Sequence, residues 1–464
     1  MEATATIRDQ LASYLSEQGM SINQFADRSG INSGTLSRIV KGHQPIAMSH
    51  LELITKGIGE VEDRFFSLYV DECFYHSAPT WRRLRPFMIR CAELGRMDCI
   101  ERMVQILLDN LSNVPTLFDV AEGLFEHGQW KAAAILYENV SASEKYQYSE
   151  RLAACQYRLF RIALGDDQSE NLRAATLFEP YVPRLDEADQ LDGLKHLMNV
   201  YYSLHQWHKV EELAQELLRL ATIRYDLYCC SGQERNNEKT PEKPLYLYIL
   251  YAHLMRSNVF EECGDYNSAL SLVPVYTDGS WIQEDNEEVK RTITQFQEWG
   301  RANSYLYRLM AGESEVLADY VEYISTRTGE IFMAVCNIIK SANRYNWNVD
   351  HILERFSAWM TYSILYTEFG EYNRQIMEDQ YARFLAELAA YYLRNKRKDG
   401  IRFILQSLEY STRTNNEGTV LNCVDLFEQY RYFAEDSEKE QYKLLIREVR
   451  NLYDKKNTNP ACHV

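Results

Sequence analysis

The chain has 464 residues, too many for one hydrophobic core, and predicts roughly two to four folding units or an array of repeats. With 46% hydrophobic residues, only 10 Pro and 20 Gly, the composition favours helix and excludes an all-β or disordered chain. The net charge of −17 excludes a general nucleic-acid binder, which is normally basic. The first sixty residues are nearly neutral, however: Arg8, Arg28, Arg38, Lys41 and Lys56 stand against six acids, so almost all the excess acid lies beyond them. A head that touches DNA on a body that repels it has this distribution.

No run of 18 apolar residues occurs, and "MEATATIRDQL" has no basic flank leading into an apolar stretch. The chain is therefore expected to be cytoplasmic, with no signal peptide and no membrane span. Its ten cysteines are scattered without a C-x-x-C pair, and reduced thiols packed as small hydrophobes are the expectation.

At the N-terminus Ile7, Leu11, Tyr14 and Leu15 form one helical stripe. Ser21 with Gln24 reads as a capping box for a second helix, which Gly30 stops in a left-handed conformation. Asn32 caps a third, with Leu36, Ile39 and Val40 inward and Gly42 at its end. Ser49 with Glu52 reads as another capping box, opening a fourth helix that buries Leu51, Ile54 and Ile58. Two short helices joined through a glycine, the second leaving Ser33, Gly34, Ser37, Arg38 and Lys41 outward, have helix-turn-helix geometry. Small residues at the start of such a helix let its backbone approach base edges.

The segment "SINQFADRSGINSGTLSRIVKGHQP" resembles the phage-repressor-like helix-turn-helix domain. The resemblance implies that Ser33, Gly34, Thr35, Ser37 and Arg38 sit at or near bases of double-stranded DNA, with Lys41 and His43 near the backbone. Arg38 is the one long base-reading side chain on that face, so specificity is expected to rest partly on DNA shape and dimer spacing.

Beyond residue 80 the chain repeats itself weakly: "LFEHGQWKAAAILY" (124–137), "YYSLHQWHKVEELA" (201–214), "FEECGDYNSALSLV" (260–273) and "YTEFGEYNRQIMED" (366–379). Each has a bulky residue, three spacers, a Gly or His, one spacer and an aromatic: Trp130, Trp207, Tyr266 and Tyr372. Ala133, Val210 and Ala269 follow three positions later in the first three. This predicts tetratricopeptide-like helix pairs, with a tight turn, an aromatic wedge and a small residue where helices cross. "LGRMDCIERMV", "LMAGESEVLADYV" and "KRKDGIRFILQSL" are weaker copies. The segment from Cys230 to Pro244 predicts an exposed loop, residues 278–288 another connection, and the 33 tyrosines mostly structural roles. The fold class is all-α: a helix-turn-helix domain over 1–62, a linker helix over 63–80, a tetratricopeptide-like solenoid over 81–454 and a flexible tail over 455–464.

Such a solenoid suits an extended peptide, whose backbone side-chain amides pair with and whose terminal carboxylate needs a cation. Asn199 and Asn258 both lie six residues before the turn residue. Lys195 and Tyr202 share a helical face with Asn199, and Tyr251 and Glu261 share one with Asn258. Asn303 lies in a comparable helix, and Arg256 and Arg301 are the carboxylate-clamp candidates.

The combination of a helix-turn-helix with a tetratricopeptide-like body resembles the RRNPP family of peptide-pheromone receptors, which includes the arbitrium receptors of temperate phages. The resemblance covers the architecture; its specific motifs lie at 20–58. It implies a homodimeric transcription regulator in quorum sensing, whose DNA-binding heads are repositioned by a short signalling oligopeptide. Helices over 419–435 and 442–453 would cap the solenoid or form the dimer contact.

No phosphate-binding loop, dinucleotide fingerprint, H-E-x-x-H or G-x-S-x-G occurs. His196, His205 and His208 have no neighbouring Cys, and no metal, cofactor or catalytic residue is expected. The alternatives are a response-regulator-directed phosphatase or anti-activator of the same superfamily, and a tethered scaffold that binds a protein tail.

Overall fold

The computed structural model describes residues 6–76, 79–146, 149–165, 167–231, 239–361, 374–414 and 416–458. The described residues form α-helices and short 3-10 turns, with no strand among them. The fold is all-α, a helix-turn-helix domain followed by a body of helical repeats.

Four helices open the chain: α1 (Ile7–Glu17), α2 (Ile22–Ser29), α3 (Ser33–Val40) and α4 (Met48–Ile58). Local chemistry sets the first three. Ser21 and Gln24 cap α2 reciprocally, and Gly30 ends it at φ 76°. Asn32 Oδ1 accepts from Gly34 N at 3.0 Å and Thr35 N at 3.2 Å, which starts α3. The fourth start differs from expectation. Helix α4 begins at Met48 after Ala47, which supplies no side-chain cap, so Ser49 and Glu52 are not a capping box. Tertiary contacts decide this boundary: Ile46 is fully buried and its carbonyl accepts from Tyr69 Oη at 2.8 Å, which delivers the chain into α4 early.

Next come α5 (Phe66–Phe74), α6 (Trp81–Glu93), α7 (Met97–Leu108), α8 (Val114–Glu126), α9 (Trp130–Ser143), α10 (Glu150–Ala163), α11 (Gln168–Phe178) and α12 (Glu187–Ser203). Residues up to Leu204, together with Lys239–Glu242, form one compact unit. Within it the head is not a bead on a string. Phe25, Leu36, Ile39 and Ile54 belong to the same buried cluster as Phe66, Tyr69, Phe87, Met103 and Leu136. The rings of Phe66 and Tyr69 pack edge-on against Phe87 at 5.1 and 4.7 Å.

A second compact unit contains the remaining helices: α13 (Trp207–Ser231), α14 (Leu245–Glu262), α15 (Tyr266–Thr277), α16 (Glu287–Ala311), α17 (Leu317–Ser325), α18 (Ile331–Tyr345) and α19 (Asp350–Arg355). It continues through α20 (Arg374–Arg394), α21 (Asp399–Thr414), α22 (Glu417–Gln429) and α23 (Asp436–Thr458). Helix α23 therefore continues four residues into the stretch expected to be a tail.

Left-handed residues mark the repeat turns: Gly95, Gly128, Gly264 and Gly312, with His205 and Lys396 holding the same conformation at φ 56° and 58°. Ala133, Val210 and Ala269 are fully buried, as helix crossings require. The aromatic wedge fails at Trp130, which is 57% exposed. Trp207 and Tyr266 are half-buried. Tyr372 lies outside the described residues, as do residues 232–238 of the expected 230–244 loop. Seven tyrosines are among the largest fully buried side chains, and those seven pack as core. Cys73, Cys91, Cys99, Cys155, Cys336 and Cys423 are free and buried.

Candidate functional site

On α3, Ser33, Gly34 and Arg38 are exposed, and Thr35 and Ser37 half-buried; Lys41 and His43 just beyond the helix are exposed. Leu36 and Ile39 on the opposite side are fully buried. The seven residues expected to touch DNA thus cluster on the outward side of one short helix and its exit. The Arg38 guanidinium donates to Thr35 Oγ1 at 3.4 Å, which aims it along the helix rather than into the head. The small residues at the start of α3 leave its backbone accessible to the floor of a major groove.

What holds α3 in place was not among the expected residues. Arg8 on α1 donates from Nε to the Ile39 carbonyl at 2.9 Å and from Nη2 to the Gln44 carbonyl at 3.4 Å. Its guanidinium makes a two-pronged pair with Glu72 on α5, with Nη2 to Oε1 at 2.6 Å. Glu72 Oε1 also accepts from Ile46 N at 3.5 Å, and its side chain is only 2% exposed. One buried ion pair therefore ties the C-terminal end of α3 and the loop after it to α5. The sequence held one signal for this: two adjacent carboxylates, Asp71 and Glu72, in the apolar run "FFSLYVDECF", where an acid turned to the buried side needs a cation.

The expected peptide-contacting residues fall into two sets. Lys195, Asn199 and Tyr202 line α12 in the first unit. Lys195 Nζ lies 3.7 Å from Glu242, Asn199 is exposed and Tyr202 half-buried. Tyr251, Arg256 and Asn258 on α14, and Arg301 and Asn303 on α16, belong to the second unit. Arg256 pairs with Glu211 at 2.9 Å, and Arg301 lies over the Tyr323 ring at 5.2 Å. Asn303 donates to Tyr276 Oη at 3.1 Å, an interhelical bond between α16 and α15. Asn258 is half-buried and its amide makes no hydrogen bond among the described residues. It lies about 140° round α14 from His253, which lines a pocket with Pro274 and Val275 of α15, so Asn258 faces away from that partner helix. Tyr251 shares this side, and burial pushes its phenol up to about 12.

Glu261, one turn on, is pushed up to about 7 by burial and by the Glu262 charge, against Lys340 and the Tyr307 hydrogen bond. Among the described residues no group of three or more His, Cys, Asp or Glu is arranged to hold a metal, and no helix is long and apolar enough to cross a membrane.

Arg38→Ala should weaken binding to a duplex selected from random sequence by about 10-fold or more. If the guanidinium reads a base, discrimination between sequences should relax with it. If it neutralises a phosphate, affinity should fall uniformly and the salt slope should drop by about one. Fluorescence anisotropy at several salt concentrations measures both.

Comparison with curated proteins finds no match to the chain. Residues 11–65 match the helix-turn-helix family model, covering α1 from Leu11 through the 3-10 turn that precedes α5, so the chain carries a helix-turn-helix domain of the kind found in DNA-binding transcription regulators.

Proposed function

We propose that this protein is a transcription regulator whose affinity for its DNA operator is set by a short signalling peptide bound to its helical repeats, and that it works as a homodimer in the cytoplasm. The head supports DNA binding through its outward small-residue face. The observation that carries the peptide half is Asn258, a half-buried amide without a partner among the described residues, on the face of α14 turned away from α15. Such an amide pairs with both the N–H and the C=O of an extended backbone without reading its side chains. Tyr251, two turns earlier on the same side of α14, offers an aromatic wall, and on α12 Asn199 stands in the same register relative to its turn.

The peptide acts by population shift. It changes DNA affinity only as much as it prefers one arrangement of the heads, and half-sites on a duplex demand a near-fixed head separation. Because the head shares one core with α5–α9, a movement of those helices carries α3 with it. The test is to measure operator affinity before and after adding pools of five- to eight-residue peptides, with Asn258→Ala as the control. An active pool should change affinity at least about 10-fold, which is about 1.4 kcal/mol of coupling, and Asn258→Ala should remove most of the response. Affinity that stays constant across all pools overturns the proposal.

A further inference from the structure

The segment Lys239–Glu242 packs as part of the first unit, whereas the chain on either side of it belongs to the second. It has no regular secondary structure, with a bend at Glu242, and lies on α12. Lys239 Nζ pairs with Asp189 and lies 3.5 Å from Asp186. The backbone N–H of Glu242 donates to Asp192 Oδ2 at 3.0 Å. The Glu242 carboxylate accepts from Arg161 Nη1 at 2.7 Å and lies 3.7 Å from Lys195 Nζ. Asp189 and Asp192 are buried, at 3% and 4% exposure. Carboxylates so buried require partners; Asp189 also lies 3.7 Å from Arg158 Nη1 on α10, and this segment adds a partner to each.

The spacing matches along the whole contact. Four residues can reach about 10 Å from first to last, and Asp189 to Lys195 spans about 9 Å of helix. Cation meets carboxylates at one end and carboxylate meets cations at the other. Burial raises the Glu242 carboxyl, but the Arg161 hydrogen bond and the charges around it bring the group below its usual range. His196, 3.4 Å from Glu242, is pushed down to about 4 by burial and by Arg161, so it stays neutral and adds no charge. The stripe continues past the segment on the same helix, through Asn199 and Tyr202.

We propose that Lys239–Glu242 is a built-in pseudo-ligand covering a peptide-binding stripe on α12. This stripe takes an extended oligopeptide with a cationic group, then two residues, then a carboxylate. A side chain or a chain terminus serves for either charge. The proposal deepens, and rests on, the reading of the repeats as a peptide receptor. An incoming peptide displaces the segment, and a tethered competitor acts at an effective concentration on the order of millimolar, so only a well-matched signal succeeds.

The test uses the full chain and the blocked hexapeptide Glu-Lys-Thr-Pro-Glu-Lys, the sequence of residues 238–243, in calorimetric titration. Lys239→Ala with Glu242→Ala vacates the stripe and should bind the hexapeptide at least about 10-fold tighter than the native chain, as release from a millimolar tethered competitor requires. Adding Arg161→Gln should abolish that gain. Glu242→Gln alone, a change at an exposed side chain, should give a gain of several-fold and serves if the double variant melts early. Equal affinity for the native and vacated chains, or no binding to either, overturns the proposal. The receptor reading fails separately: peptide exchange on the stripe would persist while operator affinity ignored every peptide.

Discussion

Replacing Glu72 by Ala should lower the stability of the first unit by about 3–5 kcal/mol, the usual cost of leaving one member of a buried ion pair alone. At the size of this unit that is a Tm lower by about 10 °C. The guanidinium of Arg8, with its side chain 14% exposed, would retain the Ile39 and Gln44 carbonyls but lose its counter-charge. The double change Arg8→Met with Glu72→Met should recover most of the stability, because apolar side chains of similar volume often replace a buried pair at little cost. It should not recover DNA binding, since the carbonyls at the end of α3 then lack their donor. Calorimetric melting together with operator affinity separates the two effects. If the double variant binds DNA as well as the native chain, the pair is a fold contact and does not position the recognition helix.

Glu261→Gln should become progressively stabilising relative to the native chain as pH rises. The native carboxyl titrates near 7, against 4.5 for the unperturbed group. Below pH 4.5 it is protonated both folded and unfolded, so its contribution is constant there. Between pH 4.5 and 7 the unfolded chain ionises while the folded one holds the proton, so stability falls as pH rises through the folded value. By pH 8 the loss is about 3 kcal/mol, at 1.36 kcal/mol for each unit between the two values. Urea unfolding of both proteins at pH 4.5 and pH 8 measures it, and the difference between them cancels every other titrating group. A pH-independent difference would show that Glu261 is solvated. Because Asn258 and Tyr251 lie on the same helix, a peptide cation docked beside Glu261 would lower its pKa and release a proton, visible as a buffer-dependent binding enthalpy near pH 6.

Much of the head is legible residue by residue because its signals are local. Ser21 and Gln24, Gly30, and Asn32 each act within three or four positions on the chain, so spacing alone predicts the ends of α2 and α3. The repeat turns are legible for the same reason, even where His205 replaces glycine. Local signals mislead where tertiary contacts compete. Ser49 and Glu52 have capping-box spacing, but the bond from Tyr69 to the Ile46 carbonyl draws α4 to an earlier start. Trp130 has the repeat pattern, yet it is exposed where Trp207 and Tyr266, at the same place in their helices, are half-buried.

The candidate sites divide along the same line. From its amino acids alone the chain is all-helical, begins with a helix-turn-helix head and continues as degenerate helix pairs, since periodicity, caps and turn residues are properties of neighbours in sequence. Only the folded molecule couples Arg8 to Glu72, 64 positions apart, and Lys239 to Asp189, 50 apart. Only there does Asn303 turn to a tyrosine of α15 while Asn258 is left without a partner among the described residues. Pairs over such separations leave no periodic trace, because what selects them is the loss of water around a buried carboxylate, Glu72 or Asp189, when distant parts of the chain pack.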